Sequence, residues 1–318
     1  MVENSPSAEK CGRYTLNNGT KIPVIGLGTF LMEEPGNTKE MIKKAILEYG
    51  YRHIDTAMIY MNEEEIGDAL QEVMAAGVPR EELYITTKLW HSDYHNIEEA
   101  CRTSLRKLKL EYIDLYLIHW VRPIINWESE NWEITSPPLH ERWAKMEALV
   151  DAGLTKSIGV SNCVMPQLTD LLSYARIKPV VNQVEVHPYF NQAKSNMFHR
   201  KWGIYLQAYA SIGSGHWQTR PGEFMDINPL TDPVITEIAT AIGKSPAQVI
   251  LAWHLQRETI PLVKTTKAER LGENMGAAEI QLTADQVAKI DAMDRGARLY
   301  NPKFLDMRYD WNNFPFFD

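Results

Sequence analysis

Short apolar segments alternate with segments of helical periodicity along this 318-residue chain, and the alternation predicts a single parallel (β/α)8 barrel of the TIM type. The short segments are apolar at successive positions, which is typical of parallel strands that are buried on both faces. No linker or change in composition divides the chain, so one barrel explains the pattern better than two doubly wound sheets. We therefore predict one barrel domain over residues 1–318.

The N-terminal segment precedes the repeating pattern. Residues 1–12 are mostly polar and are predicted to be loose. Residues 13–23 contain two short extended runs joined by Asn18 and Gly19, a pair that accepts the positive φ of a tight turn. The sequence therefore predicts an N-terminal β-hairpin that closes one end of the barrel.

The repeating units follow in order. Apolar runs predict strands at residues 24–28, 53–54, 84–87, 113–118, 156–160, 180–184, 204–208 and 260–263. Helical spacing and start signals predict helices at residues 38–49, from 63 onward, and at 97–108, 139–152, 166–174, 191–202, 236–242 and 246–257. The last segment, residues 294–318, is an aromatic C-terminal tail that we expect to pack over one mouth of the barrel.

Composition excludes several classes of partner. The formal net charge of −8 and the pI near 5.7 argue against nucleic acid and anionic membrane, which bind basic surfaces. No apolar run reaches the roughly 18 residues that a membrane span needs, and no signal-peptide core is visible. The cysteines Cys11, Cys101 and Cys163 are too few and too scattered for a disulfide framework. We expect a cytoplasmic protein that is a monomer or a small homo-oligomer.

Polar side chains stand at the ends of seven of the eight predicted strands. In a barrel of this kind the active site lies at the C-terminal ends of the strands, so these side chains are candidates for a common site. Solvation of ordinary loops explains one or two such residues but not the whole set. The strand-end residues are Asp55, Lys88, His119, Ser161, Asn162, Gln183, Glu185, Tyr209, Lys264 and Thr265.

The chemistry of these residues indicates carbonyl reduction. Tyr60, in the loop after Asp55, is a weak acid at neutral pH, and a nearby ammonium group such as Lys88 would lower its pKa. Asp55 would keep Lys88 charged and in place, while a neutral His119 would donate a hydrogen bond to a substrate oxygen. Such a site delivers a proton to an oxygen while a hydride reaches the carbon, and the hydride must come from a cofactor.

A second group of strand-end residues suits a nicotinamide. Ser161, Asn162 and Gln183 have the donors and acceptors to fix a carboxamide, and Tyr209 offers a flat face for a ring. We therefore predict that these four residues bind the redox-active end of a dinucleotide.

Several segments carry motifs of a known family. They read Gly-Tyr-Arg-His-Ile-Asp-Thr-Ala at 50–57 with Tyr-Met-Asn-Glu at 60–63, Leu-Ile-His-Trp at 117–120, Ser-Ile-Gly-Val-Ser-Asn at 157–162 and Asn-Gln-Val-Glu-Val-His-Pro at 182–188. With these motifs in register, the chain resembles the aldo-keto reductase superfamily, close to aldose and xylose reductases, over nearly its whole length.

The resemblance implies a catalytic tetrad and a cofactor. The tetrad would be Asp55, Tyr60, Lys88 and His119, with Tyr60 as the general acid. An NADPH molecule would lie extended across the strand ends, with NADH as a weaker second cofactor. The chain has no Rossmann Gly-x-Gly-x-x-Gly motif, because Leu31 stands where the third glycine would be.

Residues 261–274 resemble the segment that binds the adenosine phosphate in this family. Lys264, Thr265 and Arg270 would bind a 2′-phosphate, and Glu273 and Asn274 would contact adenine. Seen without the resemblance, the same segment is a basic, solvated loop before a helix.

The substrate end departs from the family pattern. Phe30 stands where aldose reductases often have tryptophan, and Leu31 replaces a lysine that helps to hold the pyrophosphate in some members. Phe30, Trp90 and Trp120 are predicted to wall an apolar substrate pocket, with packing at the barrel rim as the alternative. The loop at 213–232 receives no role. The tail resembles those of xylose reductases, which favours a sugar among the aldehydes and aldoses that such an enzyme would reduce.

Two other functions compete with an NADPH-dependent reductase. One is a Schiff-base enzyme that uses Lys88, and the other is a non-catalytic NADPH-binding sensor or structural member of the same fold. His187 and the pair His91 and His95 are candidate metal ligands, but a metal-dependent hydrolase is disfavoured, since no His-x-His ends a strand and the polar strand ends suit a nicotinamide better. We predict no metal.

Overall fold

A closed barrel of parallel strands forms the centre of the molecule. The computed structural model describes residues 12–32, 37–123, 125–126, 133–213 and 228–300. Its strands are β1 Arg13–Thr15, β2 Lys21–Pro23, β3 Gly26–Gly28, β4 His53–Asp55, β5 Tyr84–Leu89, β6 Ile113–Ile118, β7 Ile125–Asn126, β8 Glu133–Ile134, β9 Thr155–Ser161, β10 Val181–Glu185, β11 Tyr205–Tyr209 and β12 Ile260–Val263. Its helices are α1 Asn37–Leu47, α2 Glu63–Ala75, α3 Ile97–Leu108, α4 Leu139–Asp151, α5 Met165–Tyr174, α6 Ala193–Lys201, α7 Pro233–Ile242, α8 Pro246–Gln256, α9 Glu269–Met275 and α10 Ala284–Asp291.

The barrel closes in chain order. The strands β3, β4, β5, β6, β9, β10, β11 and β12 are hydrogen-bonded in that sequence, and β12 returns to β3. Each of these pairs is parallel, which brings the carboxyl ends of the strands to one rim. The predicted (β/α)8 barrel is therefore confirmed.

The N-terminal hairpin covers the opposite end of the barrel. β1 and β2 pair antiparallel, as predicted. The side chains of Leu16 and Ile22 are buried in one apolar cluster with Leu115 and Ile260 of the barrel. The Asn17 side-chain amide also donates to the carbonyl of Pro179, 2.9 Å away, just before β10. The hairpin thus closes the end where the strands begin and leaves the other rim open.

The helices pack around the barrel because each has one apolar face. In α1 the buried positions Met41, Ile42, Ala45 and Ile46 recur at the spacing of one helical stripe. The helices α2 and α3 approach so closely that a Cβ on Gly67 would overlap a main-chain oxygen of α3. Glycine is therefore needed at this helix crossing.

The element bounds differ from prediction where strand pairing continues. β5 extends through Leu89, because Lys88 and Leu89 stay in register with Leu117 and Ile118 of β6. Lys88 therefore lies inside a strand, at a fully buried position. The pairing of β7 with β8 was not predicted, since two residues a strand give no periodic signal.

Some predictions fall outside the described residues. They concern residues 1–11, most of the loop at 213–232, and the tail beyond residue 300. In the part of the chain that the structure describes, no helix is both long and apolar enough to cross a membrane.

Candidate active site

A cavity of about 410 Å³ opens at the rim where the barrel strands end. Asp55, Tyr60 and His119 line it, and so do Lys264 and Arg270. The three predicted wall residues Phe30, Trp90 and Trp120 also line the cavity, as do Ser161, Asn162, Gln183 and Tyr209. Most of the strand-end residues named from the sequence therefore meet at one site.

A buried ion pair lies beneath the cavity. Lys88 Nζ donates to Asp55 Oδ1 at 2.6 Å and to the carbonyl of Thr56 at 2.8 Å, and it lies 3.4 Å from the phenol oxygen of Tyr60. These neighbours take the three donor directions of the ammonium group. Lys88 is itself fully buried and is not among the residues that line the cavity, which leaves no open approach for a Schiff-base substrate.

Burial works against both charges of this pair. It raises the pKa of Asp55 and lowers the pKa of Lys88, while their mutual attraction opposes both shifts. Gln183 adds support, because its Nε2 donates to Asp55 Oδ2 at 2.8 Å and to Gln207 Oε1 at 2.7 Å. Each oxygen of the carboxylate thus accepts a short hydrogen bond.

Our expectation for the phenol was wrong in direction. We expected the Lys88 ammonium to lower the pKa of Tyr60. Burial instead raises the pKa of Tyr60 well above its ordinary value, and the Asp55 carboxylate raises it further. With its pKa raised, the phenol keeps its proton at neutral pH.

His119 is held as a neutral imidazole. Burial, with the charge of Lys88 added, lowers the pKa of His119 well below its ordinary value. Its ring lies edge-on to Tyr60, with centroids 5.8 Å apart, and edge-on to Trp90, with centroids 5.1 Å apart. His119 Nδ1 is buried and has no hydrogen-bond partner among the described residues. The phenol and the imidazole therefore face a common space at the cavity floor.

The predicted nicotinamide residues form one hydrogen-bonded group. Tyr209 donates from its hydroxyl to Asn162 Oδ1 at 2.8 Å, and Asn162 Nδ2 donates to the carbonyl of His119 at 3.0 Å. Ser161 Oγ donates to the carbonyl of Gln183 at 2.8 Å. These contacts connect the ends of β9, β10 and β11 to the residue after β6, and they fix the side chains at the cavity wall.

Left-handed backbone recurs at the rim. Leu31, Asn162 and Ala210 have φ values of 58°, 54° and 51°, and all three line the cavity. Such conformations are disfavoured for residues other than glycine, and they concentrate at functional sites. At Asn162 and Ala210 the strained residue comes directly after a barrel strand.

The basic end of the cavity is exposed. Lys264 and Arg270 are exposed side chains, one following β12 and the other in the first turn of α9. Thr265, Glu273 and Asn274 do not line the cavity. The Thr265 hydroxyl instead donates to the carbonyl of Lys267 at 3.2 Å. The contacts predicted for these three residues stay predictions.

Aromatic side chains pack beside Tyr60 and along the cavity wall. Phe30 lies against Tyr60, with ring centroids 4.9 Å apart. Trp120 stacks on Tyr300, with centroids 6.2 Å apart and planes 23° from parallel. Tyr300 belongs to the tail that we predicted over the mouth, although it was not singled out as a site residue. The rest of that tail, from residue 301, is outside the described residues.

Sequence reasoning also missed apolar and loop positions on the cavity wall. These have no titratable group, so the strand-end rule gave no signal for them. They are Gly28, Thr29, Leu31, Ile59, Ala210, Ser211, Ile212, Gly213, Leu230, Leu262 and Val263.

The remaining candidates do not join the site. Burial raises the pKa of the Cys163 thiol, which makes it a poor nucleophile. Within residues 12–300, apart from the segments left undescribed, His, Cys, Asp and Glu do not gather in a group that could hold a metal ion.

Comparison with known proteins gives a consistent assignment. A family model described as "Aldo/keto reductase family" matches residues 24–295. An aldo/keto reductase of Synechocystis is 42% identical over 306 residues, covering 92% of each chain. An NADP-dependent D-sorbitol-6-phosphate dehydrogenase of Malus domestica is 39% identical, covering 91% of this chain and 96% of that protein. The solved structure of an aldose reductase from Schistosoma japonicum superimposes with a TM-score of 0.81 at 36% identity, covering 92% of this chain and 95% of the other.

Proposed function

The chain belongs to the aldo/keto reductase family, and from that premise we propose that it reduces the carbonyl of an aldehyde or aldose to the alcohol, with NADPH as the cofactor. The observation that carries this proposal is the meeting of Tyr60, Asp55 and His119 on one cavity wall with Lys88 behind them. Membership of this family supports an oxidoreductase that acts on carbonyl compounds, and we propose the role of each residue from the geometry of the cavity.

We assign proton donation to Tyr60. A nicotinamide cofactor held by Ser161, Asn162, Gln183 and Tyr209 would supply the hydride for the carbonyl carbon. As charge develops on the carbonyl oxygen, the Tyr60 hydroxyl donates its proton to that oxygen. A phenol with a raised pKa is still acidic enough for this, because the alkoxide that would otherwise form is a stronger base than a phenolate. The ammonium of Lys88, 3.4 Å away, stabilises the phenolate that remains.

Asp55 and His119 act through position. Asp55 accepts a hydrogen bond from Lys88 Nζ at 2.6 Å, and its negative charge stabilises the buried ammonium in its charged form. A neutral His119 lies beside Tyr60 and would donate from Nε2 to the same substrate oxygen, which orients the carbonyl toward the phenol. The low pKa of His119 supports this role, since an uncharged imidazole leaves the proton transfer to Tyr60.

The cavity fits a nicotinamide dinucleotide. Asn162, Ser161 and Gln183 present amide and hydroxyl groups beside the flat Tyr209 ring at the catalytic end. Lys264 and Arg270 add positive charge to the cavity wall, which suits the 2′-phosphate of NADPH. NADH, which lacks that phosphate, would bind more weakly.

The aromatic wall favours substrates with an apolar or ring-shaped substituent. Phe30, Trp90, Trp120 and Tyr300 line the catalytic end of the cavity. Flat apolar surfaces of this kind bind hydrocarbon faces, including those of sugars, without needing a charge on the ligand.

A steady-state screen tests the proposal. Oxidation of NADPH and of NADH is measured with xylose, glucose, glyceraldehyde and an aromatic aldehyde. Turnover with NADPH on at least one carbonyl, and weaker use of NADH, is expected. Tight NADPH binding without turnover on any carbonyl would instead support the non-catalytic sensor.

A further inference from the structure

Glu185, the last residue of β10, has no part in the reaction described above, and its carboxylate is fully buried. Its Oε1 accepts the main-chain N–H of Leu299 at 2.6 Å, and its Oε2 accepts the N–H of Tyr300 at 2.8 Å. His187 Nε2 lies 2.9 Å from Oε1. A buried carboxylate is costly unless its oxygens are hydrogen-bonded, and here two consecutive amides of a distant segment meet both oxygens.

The segment that Glu185 holds reaches the cavity through Tyr300. The Tyr300 ring lies edge-on to Tyr209, with centroids 5.6 Å apart, and is stacked on Trp120 at 6.2 Å. Both line the cavity, Tyr209 from the end of β11 and Trp120 from the segment after β6. The position of the Tyr300 ring between them therefore depends on where residues 299 and 300 are held.

A second attachment fixes the chain just before this point. The amides of Arg295 and Ala297 both donate to the carbonyl of Tyr189, at 3.1 Å and 3.0 Å. These bonds set the path of the chain up to residue 297, but they do not orient the peptide groups at 299 and 300. The Glu185 carboxylate accepts both of those amides directly.

We propose that Glu185 is a positioning residue that holds the Leu299–Tyr300 peptide at the end of β10 and thereby sets the substrate preference of the cavity through the Tyr300 ring. This inference rests on the proposed reductase function for its kinetic consequences. Its structural part, the attachment of two amides to one carboxylate, stands independently of turnover.

The first test uses the unaltered protein. Hydrogen exchange at the amides of Leu299 and Tyr300 is measured in the native state, and both should exchange at least about tenfold more slowly than in an unstructured peptide, the factor that corresponds to 1.4 kcal/mol. Exchange at the unstructured rate would overturn the proposal without any variant being made.

The second test replaces the carboxylate. In Glu185→Gln one acceptor oxygen becomes an amide donor, so one of the two main-chain N–H groups faces a donor and loses its partner. We expect exchange at 299 and 300 to accelerate, and kcat/KM for an aromatic aldehyde relative to glyceraldehyde to fall about tenfold, on the order expected for one charge-assisted hydrogen bond. The loss should appear in KM for the aromatic aldehyde, with kcat for glyceraldehyde little changed.

The third test separates positioning from general loosening. If Glu185 acts through Tyr300, then Glu185→Gln combined with Tyr300→Ala should shift the substrate ratio no further than Tyr300→Ala alone. Asp114→Asn is the matched control, because Asp114 is a buried carboxylate that accepts the amide of Ile85 at 3.0 Å, near the opposite end of the barrel. It should lower stability and leave the substrate ratio unchanged.

The outcomes distinguish the two proposals. A wild-type protein that turns over no carbonyl contradicts the proposed function, while the exchange measurement still decides the attachment. If the protein is active, two results contradict the positioning role alone. One is a substrate ratio in Glu185→Gln equal to that of the wild type, and the other is a double variant in which the effects of Glu185→Gln and Tyr300→Ala on the ratio multiply.

Discussion

Tyr60→Phe removes the proposed acid and keeps the ring. The phenyl ring would retain its contact with Phe30 at 4.9 Å, its edge-on contact with His119 at 5.8 Å and its place 4.9 Å from Lys88 Nζ. The lost group is a hydroxyl whose nearest donor, Lys88 Nζ, is at the long distance of 3.4 Å. We therefore expect the change to act on the reaction far more than on the fold.

The size of the effect follows from the two roles of the hydroxyl. General acid catalysis contributes typically about 10²- to 10⁴-fold, which is roughly 3 to 5 kcal/mol of barrier at 1.36 kcal/mol a decade. The hydrogen bond from the Lys88 ammonium is charge-assisted, but its 3.4 Å distance is at the limit of hydrogen bonding, so its loss should cost about 1.5 kcal/mol of stability or less. Turnover should thus fall at least about a hundredfold, while the free energy of unfolding changes little.

The assay must report the chemical step. NADPH deuterated at the transferred position shows by its isotope effect whether hydride transfer limits turnover in each variant. Tyr84→Phe is the control, since Tyr84 is a buried tyrosine at the other end of β5 and should leave turnover unchanged. The affinity for NADPH, measured separately, should be nearly the same in all three proteins.

A residual activity above about a tenth of wild type, with hydride transfer limiting, would mean that another group donates the proton, and His119 would be the first candidate. The pairing with Lys88 adds a second requirement. Lys88→Met should lower turnover nearly as much as Tyr60→Phe, and the double variant should be little worse than either single one, because residues that act as a unit are not additive.

Three further predictions concern binding and stability. Replacing Lys264 and Arg270 by alanine should weaken NADPH far more than NADH in titrations of cofactor affinity, and equal losses would argue against a 2′-phosphate site. Burial lowers the pKa of His254 to about 3 in the folded protein. In the unfolded chain the same imidazole binds a proton near pH 6.5, so the free energy of unfolding decreases as the pH falls below that value. In urea unfolding between about pH 6 and 4, His254→Gln should reduce this slope by about 1.4 kcal/mol a pH unit, and an unchanged slope would contradict the buried neutral state. Gly67→Ala should cost about 1 to 3 kcal/mol in urea unfolding, since the added Cβ meets main chain of α3, whereas Gly12→Ala meets open space and should cost little.

The barrel could be predicted because its strands are short, apolar and regularly spaced. The strand-end rule then selected Asp55, Lys88 and His119, which the structure gathers from β4, β5 and the end of β6. These residues come together because the barrel closes and brings the strand ends from distant parts of the chain to one rim. Nothing beyond the position of each residue relative to its strand was needed.

Other features depend on contacts that spacing does not encode. Tyr300 lies at the cavity because its amide meets Glu185, 115 residues earlier in the chain. Leu230 and Ile212 reach the cavity from loop positions without strand periodicity. The pKa of Tyr60 is raised by burial and by the Asp55 carboxylate, and the depth of burial cannot be read from the spacing of Tyr60 and Lys88 in the sequence.

The charge balance beneath the cavity gives a physical reason for the proposed reaction to use Lys88 and Asp55 together. An ammonium without the carboxylate would lower the pKa of Tyr60, and the phenol could then lose its proton before a carbonyl substrate binds. A lone carboxylate at this depth would be costly to bury and would destabilise the phenolate. As a pair at 2.6 Å they are almost neutral from a distance, so the resting phenol stays protonated. In the proposed reaction the Lys88 ammonium, 3.4 Å from the phenol oxygen, would face the negative charge that appears when the proton has left, and the pair would stabilise the transition state more than the ground state.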